Sequence, residues 1–573
     1  MSSIAVRVIG PRMTLLVTEL RVQKQSNRLN PEDQPLSQHV ELQRTFTFCA
    51  NSFMNKPGDI LTAAAAEQAL VGRIALQEQQ IADALAPYEP LSATYAWFDT
   101  LRAIEECINL ITVDWNDEDF EHDLVSLPLA RLQQAPGRLA PVRQRVKAQF
   151  GEKFCNRFSN LLIQGMSIAI AFASHGFMDV AAGFHTVGTM MGYLQSRRRH
   201  FVGLLHMLPH ACRGRQIVAP LDTLNIFLPI IELSAIQMMG AQNALIVKLA
   251  RTRLRLPECE SGQLAMLDNL FLEPERARIT EVPITAKGAE MLKLREPLNP
   301  DRLFSAAELR NDILAIEAAY EQFDLAGTDF VAAAALVRRL SRNFIDRDFW
   351  IAIRPADLAA LSDELSLSAA LRSALVHTAP GYMACLSTYA PLVLVDGIYR
   401  STVTLLSRFL YYWRAQSLDR RKLFQIRAGF IFEQAVADEL KQQGFMVQDI
   451  TRINRHEFDV VTVRDDVIWN VQCKNNFVDL ACVEADARRF ARYNSMLVRS
   501  YERALTKERN REHLLKLKLS LDAVQHLLVS RFPVVSDNLR IVPFSRIARV
   551  AAIANSLMTN GLDDLDATGP AGG

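Results

Sequence analysis

Apolar and polar residues recur with helical spacing over most of the chain from Glu41 to Trp413. Alanine-rich apolar runs are separated there by prolines, which is typical of successive helices divided by chain breakers. No repeat of fixed period is present, so the pattern does not predict a solenoid. We therefore expect a large, mainly α-helical N-terminal region over residues 41–420. Its clearest helices are predicted at Ile60–Ala86, Phe330–Ser341 and Pro355–Val376.

The first 40 residues have a different pattern. Ile4–Ile9 and Thr14–Val22 are strand-like, and Gln23–Gln38 is a polar segment of the kind that links domains. A chain of 573 residues is too long for one ordinary hydrophobic core. We therefore expect a multidomain protein in which residues 1–40 form a strand-like segment and a polar linker.

A long uncharged stretch lies in the middle of the helical region. Phe158–Met178 contains no Asp, Glu, Lys or Arg, and a second uncharged run follows Asp179 and reaches Ser196. Because Arg197, Arg198 and Arg199 come next, a membrane hairpin with basic residues on its inner side is one interpretation. The polar residues and glycines within both runs favour a buried helical core instead. A membrane-associated effector remains the alternative.

Histidines are concentrated in the same region. His206 and His210 have the i, i+4 spacing that helical metal ligands often show, and His175, His185 and His200 precede them. However, Pro209 lies between the pair and no HExxH motif surrounds it. The pattern favours core or surface histidines, with a metal or haem role as the alternative.

The pattern changes after Arg421. Ala428–Gln443 predicts an amphipathic helix whose apolar face carries Phe432, Val436 and Leu440, and Gly444 is placed to end it. A strand and then a strand hairpin follow, so the predicted order is helix, strand, hairpin. The predicted strands are Phe445–Val447, Glu457–Val463 and Val467–Lys474.

Four polar residues stand out in these elements. Asp459 interrupts a β-branched strand, while Gln472 and Lys474 are two residues apart and therefore point to one face of the next strand. Glu433 lies one helix earlier. Acidic oxygens bind a hard cation such as Mg²⁺, which polarises a phosphate and lowers the pKa of a bound water. A lysine offsets negative charge in the transition state. These residue types suit phosphodiester hydrolysis.

The segments GFIFEQAVADELKQQGFMV, EFDVV and WNVQCKN resemble the PD-(D/E)XK nucleases, especially the Mrr-like branch of restriction endonucleases that acts on methylated DNA. In that family a helix glutamate, a strand aspartate and a (D/E/Q)-x-K tripeptide build the active site. The resemblance implies a C-terminal α/β restriction-endonuclease-like domain over residues 421–555. It implies the catalytic residues Glu433, Asp459, Gln472 and Lys474, with Mg²⁺ or Mn²⁺ held by Asp459, Gln472 and Glu433.

Gln472 departs from the commonest family pattern, which has Asp or Glu there. An amide oxygen is neutral and binds a hard cation more weakly, although the Mrr-like branch uses glutamine. The resemblance therefore implies a Mg²⁺-dependent endonuclease that cleaves nucleic acid, with DNA as the expected substrate and defence against foreign DNA as the implied role. The alternative is a catalytically inactive nuclease fold that binds nucleic acid or acts as a scaffold.

Charge also favours a nucleic-acid partner. Residues 421–555 hold 22 Lys and Arg against 16 Asp and Glu, whereas the whole chain has a net charge of only +1. A long charged helix is predicted over Val483–Leu519, and its arginines suit contacts to phosphates. A solvated helix with pairs such as Glu512 and Lys516 explains the pattern equally well. The candidate nucleic-acid-binding residues are Arg488, Arg489, Arg492, Arg499 and Arg503.

The end of the chain predicts closing strands at Leu527–Val529 and Leu539–Val542, a last helix at Ser545–Ala554 and a disordered tail over residues 556–573. The eight cysteines form no CxxC pair, and the N-terminus has no secretory pattern. We therefore expect a cytoplasmic protein. A homo-oligomer is compatible with the sequence.

Overall fold

The computed structural model describes residues 63–108, 118–129, 136–175, 184–232, 285–297, 305–346, 349–476 and 486–559, and a few positions between 238 and 249. The chain forms two compact units, and it passes from the first to the second between Arg421 and Lys422. The protein is mainly helical, with small sheets in its C-terminal part. The strand-like stretches predicted at 4–9 and 14–22 lie outside the described residues.

The first unit consists mostly of helices. The helix predicted at Ile60–Ala86 is confirmed from Ala63, its first three residues lying outside the described ones, and the helix predicted at Phe330–Ser341 is confirmed and runs two residues further. The prediction at Pro355–Val376 is wrong in one respect, because the chain leaves the helix at Ser366, whose φ is 50°, and starts a second helix at Ala369. The helices are α1 Ala63–Leu85, α2 Pro90–Ile108, α3 Glu118–Val125, α4 Pro136–Ser174, α5 Val187–Ser196, α6 Arg198–Ala211, α7 Thr223–Ile230, α8 Ala286–Leu292, α9 Ala306–Ala319, α10 Phe330–Asn343, α11 Pro355–Glu364, α12 Ala369–Leu375, α13 Tyr382–Ser387 and α14 Val403–Leu418.

A four-stranded antiparallel sheet lies within the region that was predicted to be mainly helical. It is built from β1 Ile345–Asp346, β2 Trp350–Ile353, β3 Val393–Val395 and β4 Ile398–Thr402, in the order β1-β2-β4-β3. These strands are too short for an alternating pattern to be recognised. One signal was available, since Asp396 and Gly397 both have positive φ and form the two-residue hairpin turn that Asp-Gly favours.

The uncharged stretch is part of this helical unit. Helix α4 is kinked at Gly151, where φ is 86°. Its later half buries Phe158 and Leu161 but exposes Ile163 and Ile170, as an amphipathic helix does. Residues 176–183 lie outside the described residues. Among the described helices, none is long and apolar enough to cross a membrane.

The three arginines that follow the stretch are buried. Arg197 is paired with Glu232 at 3.0 Å, and the Nε of Arg198 donates to Glu105 at 2.8 Å. The guanidinium of Arg199 donates to the carbonyl oxygen of Leu386. These side chains therefore hold helices together and do not form a basic surface.

The second unit is an α/β unit around a five-stranded mixed sheet. The strand order is β11-β10-β9-β8-β5, in which β5, β8 and β9 pair antiparallel while β9, β10 and β11 pair parallel. A separate hairpin, β6 with β7, precedes β8. The elements are α15 Lys422–Gln442, β5 Met446–Gln448, β6 Arg452–Ile453, β7 His456–Glu457, β8 Val460–Arg464, β9 Val467–Lys474, α16 Ala487–Arg509, α17 Glu512–Leu519, β10 Ala523–Ser530, β11 Ile541–Pro543, a 3-10 turn at Phe544–Arg549 and α18 Val550–Thr559.

The first helix of this unit behaves as its pattern predicts. Phe432, Val436 and Leu440 are buried, and they pack in one cluster with Trp469 of β9. Gly444 has a φ of 85°, a left-handed conformation that glycine adopts without strain, and so ends the helix. Burying each of these large side chains contributes about 1.5–3 kcal/mol, so the cluster fixes α15 on the sheet.

Several boundaries differ from the predictions. Helix α15 begins at Lys422 and not at Ala428, β10 spans Ala523–Ser530 and not only Leu527–Val529, and α18 begins at Val550 and not at Ser545. The predicted strand Glu457–Val463 is two elements, because His456–Glu457 pairs with the local hairpin and only Val460 onwards joins the main sheet. The predicted helix Val483–Leu519 is interrupted between α16 and α17 at Asn510–Arg511. The tail prediction is wrong for residues 556–559, which continue α18, since Leu557 packs against the core of the sheet.

Candidate active site

Asp459 lies at the start of β8. The structure does not place it inside a strand, as predicted, but at the bend immediately before Val460. Val460 is paired with Val471, so continuing the antiparallel register by one residue sets Asp459 opposite Gln472. The backbone N–H of Cys473 donates a hydrogen bond of 2.7 Å to Oδ2 of Asp459. The carboxylate is therefore held by the strand that carries the other candidate residues.

Gln472 and Lys474 share a face of β9, as the two-residue spacing predicts. Trp469 and Val471 alternate with them and point into the core under α15, where Cys473 also packs. The side-chain oxygen Oε1 of Gln472 is buried and accepts no hydrogen bond within the described residues. A buried polar atom without a partner typically costs about 1–3 kcal/mol, so this oxygen marks a position where a ligand would be stabilising.

Glu433 lies on α15 next to buried Phe432 and is half-buried. The pKa of its carboxyl is raised to about 7, mainly by burial and also by the negative charges of Asp459 and Glu457, while the Lys474 ammonium opposes the shift. Burial also raises the pKa of Asp459, while the Cys473 N–H bond and Lys474 lower it. Asp459 and Lys474 are thus close enough for their charges to act on Glu433.

This arrangement fits a divalent cation. Glu433 and Asp459 are partly buried carboxylates whose pKa values are raised chiefly by burial, so a nearby cation would stabilise their charged forms. The orphaned amide oxygen of Gln472, in register with Asp459, is of the type that Mg²⁺ binds. No group of three or more His, Cys, Asp and Glu side chains in the described residues is placed to hold a metal.

Polar residues at the ends of β9 and β10 were missed by the sequence reasoning. Arg531 donates its backbone N–H to the carbonyl oxygen of Lys474 at 3.0 Å, and its guanidinium donates to Asn475 at 2.7 Å. The hydroxyl of Tyr501 donates to Asn476 at 2.6 Å and lies 2.9 Å from Ser530. These bonds fix the chain directly after Lys474. The signal was present, since two asparagines follow Lys474 and Ser530 ends an apolar strand.

A buried polar network lies further along the same face of β9. Asn470 donates to the carboxylate of Glu508 at 2.9 Å, and Arg511 donates to the same carboxylate at 2.9 Å. Asn470 also lies 3.3 Å from Nδ1 of His526, whose pKa is lowered by burial. The network ties α16 to the strand that carries Gln472 and Lys474.

The five candidate arginines all lie on α16 and are exposed. At 100° per residue they fall within an arc of about 100° of the helix surface, which contains no acidic residue. Asp486 caps the helix by accepting the backbone N–H groups of Arg488 and Arg489. The opposite face is buried and includes Leu497 and Leu505. The helix therefore presents a one-sided arginine face, defined by Arg488, Arg489, Arg492, Arg499 and Arg503.

The aromatic residues interleaved with these arginines pack in the hydrophobic core. Phe490 and Tyr493 both pack against Phe532, with ring centroids 5.3 and 5.0 Å away. Tyr501 is buried. The competing interpretation of a solvated helix also finds support, because Lys516 pairs with Glu512 at 2.8 Å as that interpretation expects. This pair lies on α17 and leaves the arginine face of α16 unaffected.

Compared with models of protein families, with curated proteins and with solved structures, the chain shows no match. The function must therefore be inferred from the chemistry of the site itself.

Proposed function

We propose that the second unit is a Mg²⁺-dependent endonuclease of the PD-(D/E)XK kind, with DNA as its substrate. The observation that carries the proposal is the proximity of Glu433 to Asp459 and Lys474, with Asp459 in register opposite Gln472, whose Oε1 is orphaned. Two carboxylates, a carbonyl oxygen and an ammonium are the groups that phosphodiester hydrolysis requires. The helix, strand and hairpin order of α15, β5, β8 and β9 supports the resemblance that the sequence suggested.

Each residue has a distinct role in this proposal. Glu433, Asp459 and Gln472 would hold Mg²⁺ or Mn²⁺. When bound, the cation polarises the phosphate and lowers the pKa of water. Lys474 orients the attacking water and stabilises the negative charge that develops on the phosphate. The Cys473 N–H keeps the Asp459 carboxylate in place throughout.

The arginine face of α16 would position the substrate. Arginine contacts to phosphates orient a nucleic acid without reading its sequence. The net charge of +6 over residues 421–555, from 22 basic and 16 acidic residues, attracts a polyanion over longer range. A role of the whole protein in defence against foreign DNA rests only on the resemblance.

The test is cleavage of plasmid DNA by the purified full chain with Mg²⁺ or Mn²⁺, beside Lys474→Ala. A matched control is Lys441→Ala, which removes an exposed lysine from α15. We expect cleavage by the parent and by the control, and a loss of at least about 100-fold in Lys474→Ala, the magnitude found when one transition-state donor is removed. Equal cleavage by Lys474→Ala and the parent would refute the assignment.

The second candidate function is a nuclease fold that binds DNA without cutting it. The observation that favours it is the neutral amide of Gln472 where a third carboxylate would bind the cation more strongly. A catalytically inactive unit would retain DNA binding in EDTA and would cleave neither plain nor methylated DNA with any metal. Cleavage of methylated DNA alone would instead support an active enzyme with a modified substrate.

A further inference from the structure

A pair of histidines in the first unit has no part in the proposed nuclease. His206 lies on α6 and is 2% exposed, and His377 lies in the segment between α12 and α13. Their ring centroids are 5.5 Å apart, with an angle of 74° between the ring planes. Helix α6 packs closely against α13 at Gly203, where an added Cβ would lie 3.3 Å from Cα of Leu386. This close packing brings the two rings together.

Both rings leave the same atom without a partner. Nε2 of His206 and Nε2 of His377 are buried and make no hydrogen bond within the described residues. The ring of His206 instead hydrogen-bonds the backbone of Ala390, and that of His377 bonds the backbone of Ala379. Since Nε2 is unpartnered, each backbone bond is made through Nδ1–H. A neutral imidazole with Nδ1–H bound to a carbonyl presents its Nε2 lone pair, which is the form that binds metals.

The separation of the rings fits one shared ion. A Zn–N bond is about 2.0–2.1 Å, so two imidazoles on one tetrahedral ion have centroids roughly 5 Å apart. The observed 5.5 Å is close to that value.

We propose that His206 and His377 bind one divalent transition-metal ion, such as Zn²⁺, through their Nε2 atoms. Imidazole nitrogens suit Zn²⁺, Ni²⁺ and Cu²⁺ and do not suit Mg²⁺. His210, one turn after His206, acts electrostatically on both rings and is the nearest candidate for a third ligand. It is exposed and must turn inward to bind, since no three such side chains in the described residues are already placed for a metal. Water fills the remaining positions.

Such an ion would link α6 to the segment that precedes α13. Because the folded chain holds both ligands in place, the metal binds this state preferentially and stabilises it. The site is independent of the proposed nuclease, whose carboxylates take a hard cation. A failure of the nuclease assignment would leave this inference untouched.

The experiment uses the full chain without a polyhistidine tag, in excess Mg²⁺ to occupy the carboxylate site. Zinc content after dialysis is measured by mass spectrometry, and Zn²⁺ affinity by titration. Thermal unfolding is followed with and without Zn²⁺. The variants are His206→Gln and His377→Gln. The matched control is His200→Gln, because His200 is also buried on α6 with an unpartnered Nε2 but contacts Tyr382, at 2.7 Å, and no second histidine.

We expect the parent and His200→Gln to bind one Zn²⁺ per chain and to melt at higher temperature when it is present. Either site variant should lose the zinc-dependent shift in melting temperature and bind Zn²⁺ more than about 10-fold more weakly. Mutating a residue that only contacts a metal ligand already lowers metal affinity by about that factor. If His206→Gln does not fold, the half-buried His377→Gln still gives the comparison. A parent with no bound zinc and no shift, or site variants that match the control, would overturn the proposal and leave a buried water between the rings.

Discussion

The backbone N–H of Cys473 holds Oδ2 of Asp459 at 2.7 Å. The donor belongs to the residue between Gln472 and Lys474, so β9 positions the aspartate as well as its own two side chains. This bond is made by the backbone and does not require the cysteine side chain. Burial raises the pKa of the Cys473 thiol well above its usual range, and the nearby carboxylates raise it further. The thiol is therefore a packing group, although it lies beside the candidate active site.

Cys473→Ala is accordingly expected to retain DNA cleavage within about threefold, whereas Asp459→Asn loses at least about 100-fold because one ligand charge is removed. A protonated, buried thiol is a poor nucleophile, so iodoacetamide should not inactivate the parent. Initial cleavage rates of the parent and the two variants check this expectation. Inactivation by alkylation that Cys473→Ala prevents would instead make the cysteine part of the chemistry.

Glu433 should make the protein less stable at high pH when no metal is present. Its pKa of about 7 in the folded chain lies above the ordinary value of 4.5, so the folded state binds this proton more tightly. The resulting stability is fully present below the unfolded pKa and is lost as the pH rises through about 7. Glu433→Gln should therefore raise the melting temperature in EDTA by roughly 2–4 °C at about pH 8 and change little at about pH 4, below the unfolded pKa.

Asp438→Asn is the control for this comparison, because Asp438 is an exposed carboxylate on the same helix. Its effect should be small and similar at both pH values. Mg²⁺ should stabilise the parent at high pH and should have less effect on Glu433→Gln. An equal effect of Glu433→Gln at the two pH values would show that its carboxylate is not buried beside Asp459.

Gln472 offers a paired test of cation binding. Gln472→Glu adds a third carboxylate, so it should lower the melting temperature in EDTA through like-charge repulsion and increase the stabilisation by Mg²⁺. Gln472→Met keeps the length of the side chain but removes the orphaned oxygen, so it should be neutral or stabilising in EDTA and reduce the Mg²⁺ response. Melting curves over a Mg²⁺ series measure both. The same Mg²⁺ dependence in all three proteins would exclude Gln472 as a ligand.

Arg511 compensates a buried charge, so its loss should be costly. Glu508 is 1% exposed and is bonded by Arg511 and Asn470. Arg511→Ala leaves this carboxylate without its cation, which costs about 3–5 kcal/mol at a buried pair. Glu508→Gln combined with Arg511→Ala should recover part of that loss, because the charge is then absent as well. Urea unfolding of the single and double variants gives the coupling free energy between Glu508 and Arg511. The control is Lys518→Ala, because Lys518 is exposed on α17. Additive effects would mean that the two side chains do not interact.

Sequence periodicity was sufficient to predict the helices and strands whose apolar patterns are uninterrupted. The bounds of β9 were predicted correctly because Val467–Lys474 follows an uninterrupted strand pattern. The apolar face of α15 and its end at Gly444 were also predicted correctly, because Phe432 to Leu440 follow helical spacing. The strand around Asp459 was predicted too long, since the alternation of residues cannot show that Phe458 N–H bonds back to Thr451 and bends the chain.

The sequence could not predict the shifted pKa of Glu433 or the orphaned oxygen of Gln472, for a related reason. Both depend on burial by residues distant in the chain. The same holds for the pairing of His206 with His377, because 171 positions separate them in the sequence. The i, i+4 spacing along the chain suggested His210 as a second metal ligand beside His206. In the folded protein the ring that contacts His206 is that of His377.

The arginine face of α16 should determine how binding depends on salt. Each phosphate contact that is lost reduces the slope of log K against log salt concentration by about 0.9 on double-stranded DNA. We expect Arg492→Gln with Arg499→Gln to reduce that slope by roughly 2 and to weaken binding alike for unrelated sequences, since phosphate contacts carry no sequence information. Arg509→Gln is the matched control, because Arg509 is exposed on the same helix but lies outside the arc. Titrations of labelled duplex over a salt series measure the slopes. An unchanged slope in the double variant, or an equal reduction in the control, would mean that α16 is a solvated helix and that the DNA follows another surface.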